Sequence, residues 1–332
     1  MLWPAAELNA GFERGVWAER AGYDDLWLAD AEGLPDPITM AAALGVATSS
    51  IRLCTGIVPV FNRPPPLIAT AVVAAEAQAP GRFALGLGSS TPNMIERWYG
   101  LPYARPLTRI RESVALLREI FAGNKTSFDG ATVRSRGFRL KALPGSEIPI
   151  NLGAIGPKML ALAGEIADGV MLNDFTPPDR LDWAMTRIDE GAKRSGRRAE
   201  DLEIIKRRAF LIVDDAQEGY DFFRQYLGLY GSAPAYQQAM INLGYDAEVE
   251  AIRHGHAARD RAAIGRAIPD AMIDRLFAFG DEQHCRDIVD TEFAAGIDTV
   301  VVSPQASSAA QFERAATALQ PGPNANVAAN AG

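Results

Sequence analysis

A glycine-containing turn between a short apolar strand and a helix is the segment of this sequence best suited to bind a ligand. Ile148, Ile150 and Leu152 give the apolar pattern of a strand, and the glycines after it permit a sharp turn. Pro157 is typical of the first position of a helix. Free amides at a helix N-terminus bind phosphate, although a tight turn that binds nothing is the alternative. Free amides are predicted at residues 154–158, and the predicted phosphate-binding residues are Gly153, Ala154, Ile155 and Gly156.

Two other polar segments directly follow predicted strands. Gly88, Ser89 and Ser90 come after the predicted strand 82–87 and offer amides and two hydroxyls to the same phosphate. Asp30 follows the strand 25–29, where it could serve a reaction, cap a helix or lie in a solvated loop. A glycine-bearing strand end is also common in proteins without any ligand there.

The elements that would position these residues alternate between strand and helix. Predicted strands are 25–29, 51–58, 82–87, 148–152, 170–172, 203–213 and 299–302. Predicted helices are 4–20, 38–47, 67–78, 105–121, 157–167, 178–195, 216–230, 282–295 and 308–319. This alternation predicts an α/β fold, a (β/α)8 TIM barrel, whose active site lies at the C-terminal ends of the strands.

Several segments interrupt this alternation. Residues 124–147 are predicted to form a surface excursion with a hairpin, and residues 231–280 to form three short helices without a strand. We interpret 231–280 as an insertion before the last βα unit, packed across the barrel mouth. Only residues 1–3 precede the first helix, so either the first strand is truncated or the true start lies upstream. Residues 1–320 are expected to form a single barrel, and 321–332 a disordered tail.

Four motifs in order resemble the luciferase-like monooxygenase superfamily. They are GYDDLWLAD at 22–30, LCTGIVPVFNRPPPLIA at 53–69, PGRFALGLGSS at 80–90 and GAIGPKMLALAGEIADGV at 153–170. The last is similar to the branch that uses the deazaflavin coenzyme F420, which includes methylenetetrahydromethanopterin reductases. The resemblance extends from about residue 3 to residue 304.

The resemblance implies a cofactor site. It implies a cis peptide bond between Gly56 and Ile57 behind the deazaflavin ring, and it places Asp30 beside cofactor and substrate as the catalytic residue. The two glycine-containing segments would hold the cofactor tail. Sugar-phosphate dehydrogenases of this family carry His and Glu where this sequence has Ala31 and Thr91. The base for alcohol oxidation is therefore absent, which argues against that reaction.

Composition bounds the remaining function classes. The chain has 33 basic and 41 acidic residues, a net charge of -8, so neither nucleic acid nor an anionic membrane is an expected partner. Cys54 and Cys285 are too few for a disulfide framework, and no signal peptide or membrane span is predicted, so we expect a cytoplasmic protein. His254 and His256 lack a third ligand nearby, so no metal site is predicted.

The leading interpretation is an F420-dependent oxidoreductase. It would act as a reductase that transfers hydride to a C=C, C=N or methylene-bearing small molecule, with Asp30 orienting the substrate or relaying a proton. This chemistry needs little acid–base apparatus from the protein. An FMN-dependent monooxygenase of the same superfamily and a catalytically silent flavin-binding barrel are the alternatives. We expect a homodimer or a higher homo-oligomer.

Overall fold

The structure, a computed structural model, describes residues 8–31 and 33–321. The helices described are α1 (Leu8–Arg20), α2 (Pro37–Ala47), α3 (Pro65–Gln78), α4 (Pro106–Phe121), α5 (Pro157–Ile166), α6 (Leu181–Arg194), α7 (Ala216–Tyr230), α8 (Pro234–Asn242), α9 (Asp246–Ala258), α10 (Arg261–Arg266), α11 (Asp270–Leu276), α12 (Glu282–Ala294) and α13 (Ala309–Ala318). The strands described are β1 (Asp25–Leu28), β2 (Arg52–Thr55), β3 (Val58–Pro59), β4 (Phe83–Gly88), β5 (Ser127–Asp129), β6 (Arg134–Arg136), β7 (Ile150–Gly153), β8 (Gly169–Leu172), β9 (Glu203–Ile212), β10 (Ala278–Gly280) and β11 (Thr299–Pro304).

The described residues group into two compact units. The first contains the chain up to Ser89, residues 108–151 and the chain from Ala306, and the second contains residues 90–107 and 152–305. Residues 1–3, where a first strand would be truncated, lie outside the described residues, and so does the predicted tail 321–332 except for Pro321. The extent of a single domain over 1–320 therefore stays a prediction.

A parallel sheet forms the centre of the first unit. Its strand order is β1-β2-β4-β7, with β3 beside β4. Leu26 aligns with Leu53, and Cys54 aligns with Ala84. These strands are almost wholly buried, as expected for parallel strands covered by helices. The alternation of parallel strands and helices confirms the predicted α/β class.

The predicted strand 51–58 is two strands, β2 and β3. Thr55 Oγ1 accepts a hydrogen bond from the Gly86 amide at 2.8 Å and lies 3.0 Å from the Gly86 carbonyl, to which it donates. The Thr55 side chain thus forms hydrogen bonds with the backbone amide and carbonyl of Gly86 in β4. In a continuous strand, backbone groups would pair with them. Sequence periodicity does not reveal such an interruption, because both halves are apolar.

Two carboxylates attach the surface excursion to the first unit. Glu112 of α4 accepts the amides of Ala131, Thr132 and Val133. Glu76 of α3 accepts the amide of Gly145 at 3.1 Å. The predicted hairpin is present as the antiparallel pair β5–β6.

The second unit contains the strand order β8-β9-β10, with β11 beside β9. Met171 of β8 aligns with Ile205 of β9, and Arg207 of β9 aligns with Val301 of β11. All of the pairs recorded along β9 are parallel. Strand β9 is therefore the central element of this unit.

The predicted insertion differs from expectation in two respects. Residues 231–280 form four helices, α8 to α11, instead of three, and they end in strand β10. Phe279 of β10 aligns with Leu211 of β9. Three residues are too few to show a strand period, and Gly280 has a φ of 138°. The helices share an apolar core with β9 and α7, in which Met240, Ile252 and Phe223 are fully buried; their placement across a barrel mouth stays a prediction.

Three charged side chains are buried between β9 and α12. Lys206 Nζ donates to Glu292 Oε2 at 2.7 Å, and Arg208 Nη1 lies 3.4 Å from Glu292 Oε1. The side chain of Lys206 is 0% exposed, that of Glu292 is 2% exposed and that of Arg208 is 4% exposed. Burial lowers the pKa of Lys206 from its usual value, although Glu292 opposes this shift. Two buried cations thus share one buried anion.

No helix in the described part of the chain is both long and apolar enough to cross a membrane. Within the same ranges, no group of three His, Cys, Asp or Glu side chains could hold a metal ion.

Candidate functional site

Asp30 lies in an ion-paired cluster after the C-terminal end of β1. Arg63 Nη1 donates to Asp30 Oδ2, and Arg63 Nη2 donates to Asp36 Oδ2 at 2.5 Å. The Asp30 side chain is only 8% exposed, against 37% for Asp36. Because arginine has donors only, Asp30 acts as an acceptor in this contact.

The hydrogen bonds of Asp36 hold this cluster in place. Asp36 is the N-cap of α2, and its Oδ1 accepts the Thr39 amide at 2.8 Å and the Thr39 hydroxyl at 2.9 Å. Burial alone would raise the pKa of Asp36, but the bonds from Thr39 and Arg63 outweigh it and lower this pKa below its usual value. Asp36 therefore fixes Arg63, and Arg63 in turn orients Asp30.

The segment after β2 also has the local geometry that the resemblance implies. The Gly56–Ile57 peptide bond is cis. A Cβ added at Gly88 would lie 2.7 Å from Ile57 Cδ1, so Ile57 packs directly on Gly88. At Gly86, an added Cβ would lie 1.9 Å from the Thr55 carbonyl oxygen. The structure therefore brings Ile57 and Gly88 together in the first unit.

The two predicted serines belong to different units. Ser89 is the last residue of its segment in the first unit, and Ser90 is the first residue of a segment in the second. Ser90 has a φ of 58°, and its hydroxyl donates to Met94 Sδ at 2.7 Å. Thioether sulfur is a weak acceptor, so the Ser90 hydroxyl can donate to a stronger acceptor, such as a phosphate oxygen, in its place.

The turn between β7 and α5 has the predicted form, with one correction. Gly156 is the N-cap of α5, no side chain caps the helix, and Pro157 is in its first turn. However, the Ala154 amide donates to the Met171 carbonyl at 3.0 Å and does not point out of the turn. The amide thus pairs with the backbone of β8, and the local sequence does not indicate this pairing. The candidate anion-binding amides are therefore those of Ile155 and Gly156.

The conformation and surroundings of Gly156 do not explain why it is glycine. Its φ is -91° and its ψ is 160°, a region that any residue adopts. A Cβ added there would have no neighbouring atom within 4 Å in the described part of the protein. The glycine thus leaves open space directly in front of a helix N-terminus.

A second polar cluster, in the second unit, was not predicted from the sequence. Arg207 Nη1 lies 3.1 Å from Asp174 Oδ2, and Arg207 Nη2 donates to the Tyr226 hydroxyl at 3.2 Å. Burial raises the pKa of Tyr226 well above its usual value, so this phenol stays protonated. The sequence does contain a signal for this cluster, the run Lys206-Arg207-Arg208 inside an apolar strand. Charged residues are rarely buried unless they are paired, so such a run indicates buried partners. For Arg63, the signal was a charged residue in the loop between β3 and α3.

Comparisons with known proteins agree with these features. A family model described as luciferase-like monooxygenase matches residues 4–299. A 5,10-methylenetetrahydromethanopterin reductase of Methanolobus tindarius is 29% identical over 286 residues, covering 86% of each chain. A putative coenzyme F420-dependent oxidoreductase of Mycobacterium tuberculosis is 31% identical over 333 residues, covering 90% of this chain and 95% of that protein.

A solved structure extends the comparison to the fold. The coenzyme F420-dependent tetrahydromethanopterin reductase of Methanopyrus kandleri superposes with a TM-score of 0.80 at 24% sequence identity, covering 95% of this chain and 94% of that one. This similarity confirms the predicted TIM-barrel-like α/β fold. With the match of the family model over most of the sequence, it leads to one conclusion: the chain belongs to the luciferase-like monooxygenase family.

Proposed function

We propose that this protein is an F420-dependent oxidoreductase that acts as a reductase on a small unsaturated molecule. Support comes from its relatives, two of which are named as F420-dependent or as a methylenetetrahydromethanopterin reductase. When bound, the deazaflavin would supply the hydride, and the protein residues would bind and orient the two reactants. The buried thiols Cys54 and Cys285 support our proposal of a cytoplasmic location.

The open space in front of Gly156 carries this proposal. A phosphate in the cofactor tail would fit where a side chain would otherwise stand, within reach of the Ile155 and Gly156 amides and the positive end of α5. Gly153 and Ala154 would shape the turn behind these amides. In the first unit, Gly56, Ile57, Gly88 and Ser89 are proposed to contact the cofactor. In the second unit, Ser90 is a further proposed cofactor-binding residue.

Gly156→Val is expected to weaken F420 binding at least about tenfold, because the added methyl groups would occupy the proposed phosphate position. The unfolding temperature should stay close to that of the wild type, since there is space for Cβ. Fluorescence titration of F420 into the apoprotein measures the affinity. Gly265→Val is the matched control, because a Cβ at Gly265 also meets nothing within 4 Å and no cofactor is proposed there. Equal losses in both variants, or none at Gly156, would refute the proposed phosphate position.

Asp30 is the proposed residue for contact with the substrate. Its Oδ2 is engaged by Arg63, which favours an orienting acceptor over a proton relay. An acceptor held by an ion pair presents its other oxygen in a fixed direction. This role needs no neighbouring His or Glu, in agreement with Ala31 directly after Asp30 and Thr91 directly after Ser90 in the sequence.

Asp30→Asn is expected to lower turnover at least about tenfold while F420 affinity stays nearly unchanged, because the neutral amide keeps the shape but is a weaker acceptor and loses the ion pair with Arg63. Oxidation of reduced F420 with a set of enones, imines and methylene carriers measures turnover. Asp36→Asn is the control, since it removes the other carboxylate of Arg63 and asparagine remains a good N-cap. Intact turnover in Asp30→Asn would leave Asp30 a structural residue, and so would an equal loss in Asp36→Asn.

We further propose a homodimer through the outer faces of α2 and α3. Glu76 is the one charged residue in these two helices, and it is buried. Val46 is 72% exposed and Leu67 is 54% exposed. The exposed faces otherwise consist mainly of alanine, so they carry no charge to oppose an identical copy. Depletion of charge is typical of the centre of protein–protein interfaces.

The double variant Val46→Asp/Leu67→Asp is expected to be monomeric in sedimentation equilibrium at concentrations where the wild type is dimeric, because four buried carboxylates would face each other. Leu229→Asp is the control, since Leu229 is 73% exposed but lies on α7. A wild-type monomer, or a dimer that survives the double substitution, would rule out this interface.

A further inference from the structure

The polar cluster around Arg207 has no net charge to offer a ligand. Asp174 is 2% exposed; its Oδ2 pairs with Arg207 and its Oδ1 accepts the Ala209 amide at 2.8 Å. The Arg207 side chain is 19% exposed, and its Nη2 also donates to Ser303 Oγ at 3.2 Å. The cation is thus neutralised by a buried anion, and its donors are directed to protein oxygens.

The hydrogen bonds continue from Arg207 through two tyrosines. The Tyr226 oxygen accepts from Arg207, and the Tyr226 hydroxyl donates to the Tyr230 oxygen, 3.1 Å away. Tyr230 is therefore an acceptor towards Tyr226. Its own hydroxyl proton is left for an acceptor other than Tyr226.

The Tyr230 ring packs in an aromatic cluster. The centroids of Tyr230 and Tyr236 are 4.7 Å apart with an edge-to-face angle of 80°, and those of Phe175 and Tyr236 are 5.0 Å apart. Tyr230 and Tyr236 are partly exposed, whereas Phe175 is buried. Ile155, from the proposed phosphate turn, packs against the same apolar cluster. Tyr230 and Tyr236 thus form the partly accessible side of this aromatic cluster.

We propose that Tyr230 and Tyr236, which pack on the buried Phe175, form a substrate-binding surface in the second unit for a flat, unsaturated molecule with a neutral acceptor, a carbonyl or an imine. Aromatic side chains favour flat ligands, and the Tyr230 hydroxyl supplies one directed donor. Because Asp174 neutralises Arg207, the surface favours a neutral acceptor over a carboxylate or phosphate. The inference names the substrate class of the oxidoreductase proposed above and in that sense rests on it.

The test uses three aromatic probes of similar size without any cofactor: acetophenone, ethylbenzene and benzoate. Ligand-observed NMR gives their dissociation constants for the wild type and for Tyr230→Phe. The wild type should bind acetophenone about fivefold to tenfold more tightly than ethylbenzene, the value of one neutral hydrogen bond, and more tightly than benzoate. Tyr230→Phe should abolish the preference for acetophenone over ethylbenzene and leave ethylbenzene binding unchanged.

Tyr236→Phe is the matched control, because it keeps the ring and removes the neighbouring hydroxyl. It should retain the preference for acetophenone, and unfolding temperatures near that of the wild type should show that both variants are folded. Retention of the preference in Tyr230→Phe, its loss in Tyr236→Phe, or tighter binding of benzoate would overturn the proposal.

The outcomes of this experiment distinguish a failure of the substrate surface from a failure of the proposed function. If F420 does not bind but the Tyr230-dependent preference is found, the substrate surface stands and the cofactor assignment falls. If F420 binds and the preference is missing, the cofactor assignment stands and the substrate surface falls.

Discussion

Glu292→Gln is expected to lower the free energy of unfolding by about 3–5 kcal/mol, because Lys206 and Arg208 would lose the one buried anion they share. The three side chains are almost inaccessible to water, so solvent cannot replace the lost charge. Glutamine keeps the size of the side chain and one acceptor oxygen. The loss would therefore report on charge and not on packing. Urea denaturation at neutral pH measures it.

The control for this effect is an exposed ion pair. Glu250→Gln removes the partner of Arg253, at a side-chain exposure of 57% for Glu250, and should change stability by less than about 1 kcal/mol. A loss in Glu292→Gln no larger than in Glu250→Gln would mean that the buried cluster is hydrated or neutral in solution.

Gly86→Ala is expected to lower the free energy of unfolding by about 2 kcal/mol or more. The added Cβ would stand 1.9 Å from the Thr55 carbonyl oxygen, a backbone atom that cannot rotate away. The strands β2 and β4 would have to separate, and the two hydrogen bonds between Thr55 Oγ1 and Gly86 would lengthen. Because this contact supports the segment next to Ile57, F420 affinity should fall with stability.

Gly11→Ala serves as the reference substitution. Nothing lies within 4 Å of a Cβ at Gly11, which is inside helix α1, and alanine is a better helix former. It should be neutral or stabilising by about 0.5–1 kcal/mol. If Gly86→Ala behaves in the same way, the close approach of Thr55 to β4 is not present in solution.

The α/β alternation could be predicted because each strand and helix has its own local pattern. Strand β9 and helix α4 are long enough for their periodicity to be read directly. The short strand β10 could not, since three residues show no period and its pairing with β9 depends on residues some 70 positions away. The break between β2 and β3 could not be predicted from the sequence, because no polar or glycine-rich loop marks it. The Thr55 side chain interrupts the pairing.

The candidate site was predictable only in its local parts. The turn at Gly153–Gly156 and the helix after it follow from glycine, proline and hydrophobic spacing within a few residues. The partners of the charged residues do not, because Asp30 and Arg63 are 33 positions apart and Arg207 and Tyr226 are 19 apart. Such pairs depend on which strands become neighbours. The same reason explains why the Ala154 amide was wrongly assigned to the anion site.

Cofactor choice tests the central claim most directly. Apoprotein equilibrated with equal concentrations of F420 and FMN, then separated from free ligand, would be analysed by mass spectrometry and absorbance for what remains bound. We predict at least about tenfold more F420 than FMN on the protein, and loss of that F420 in Gly156→Val. Equal or greater binding of FMN would contradict the account and indicate the FMN-dependent monooxygenase, and binding of neither would contradict any flavin-type function.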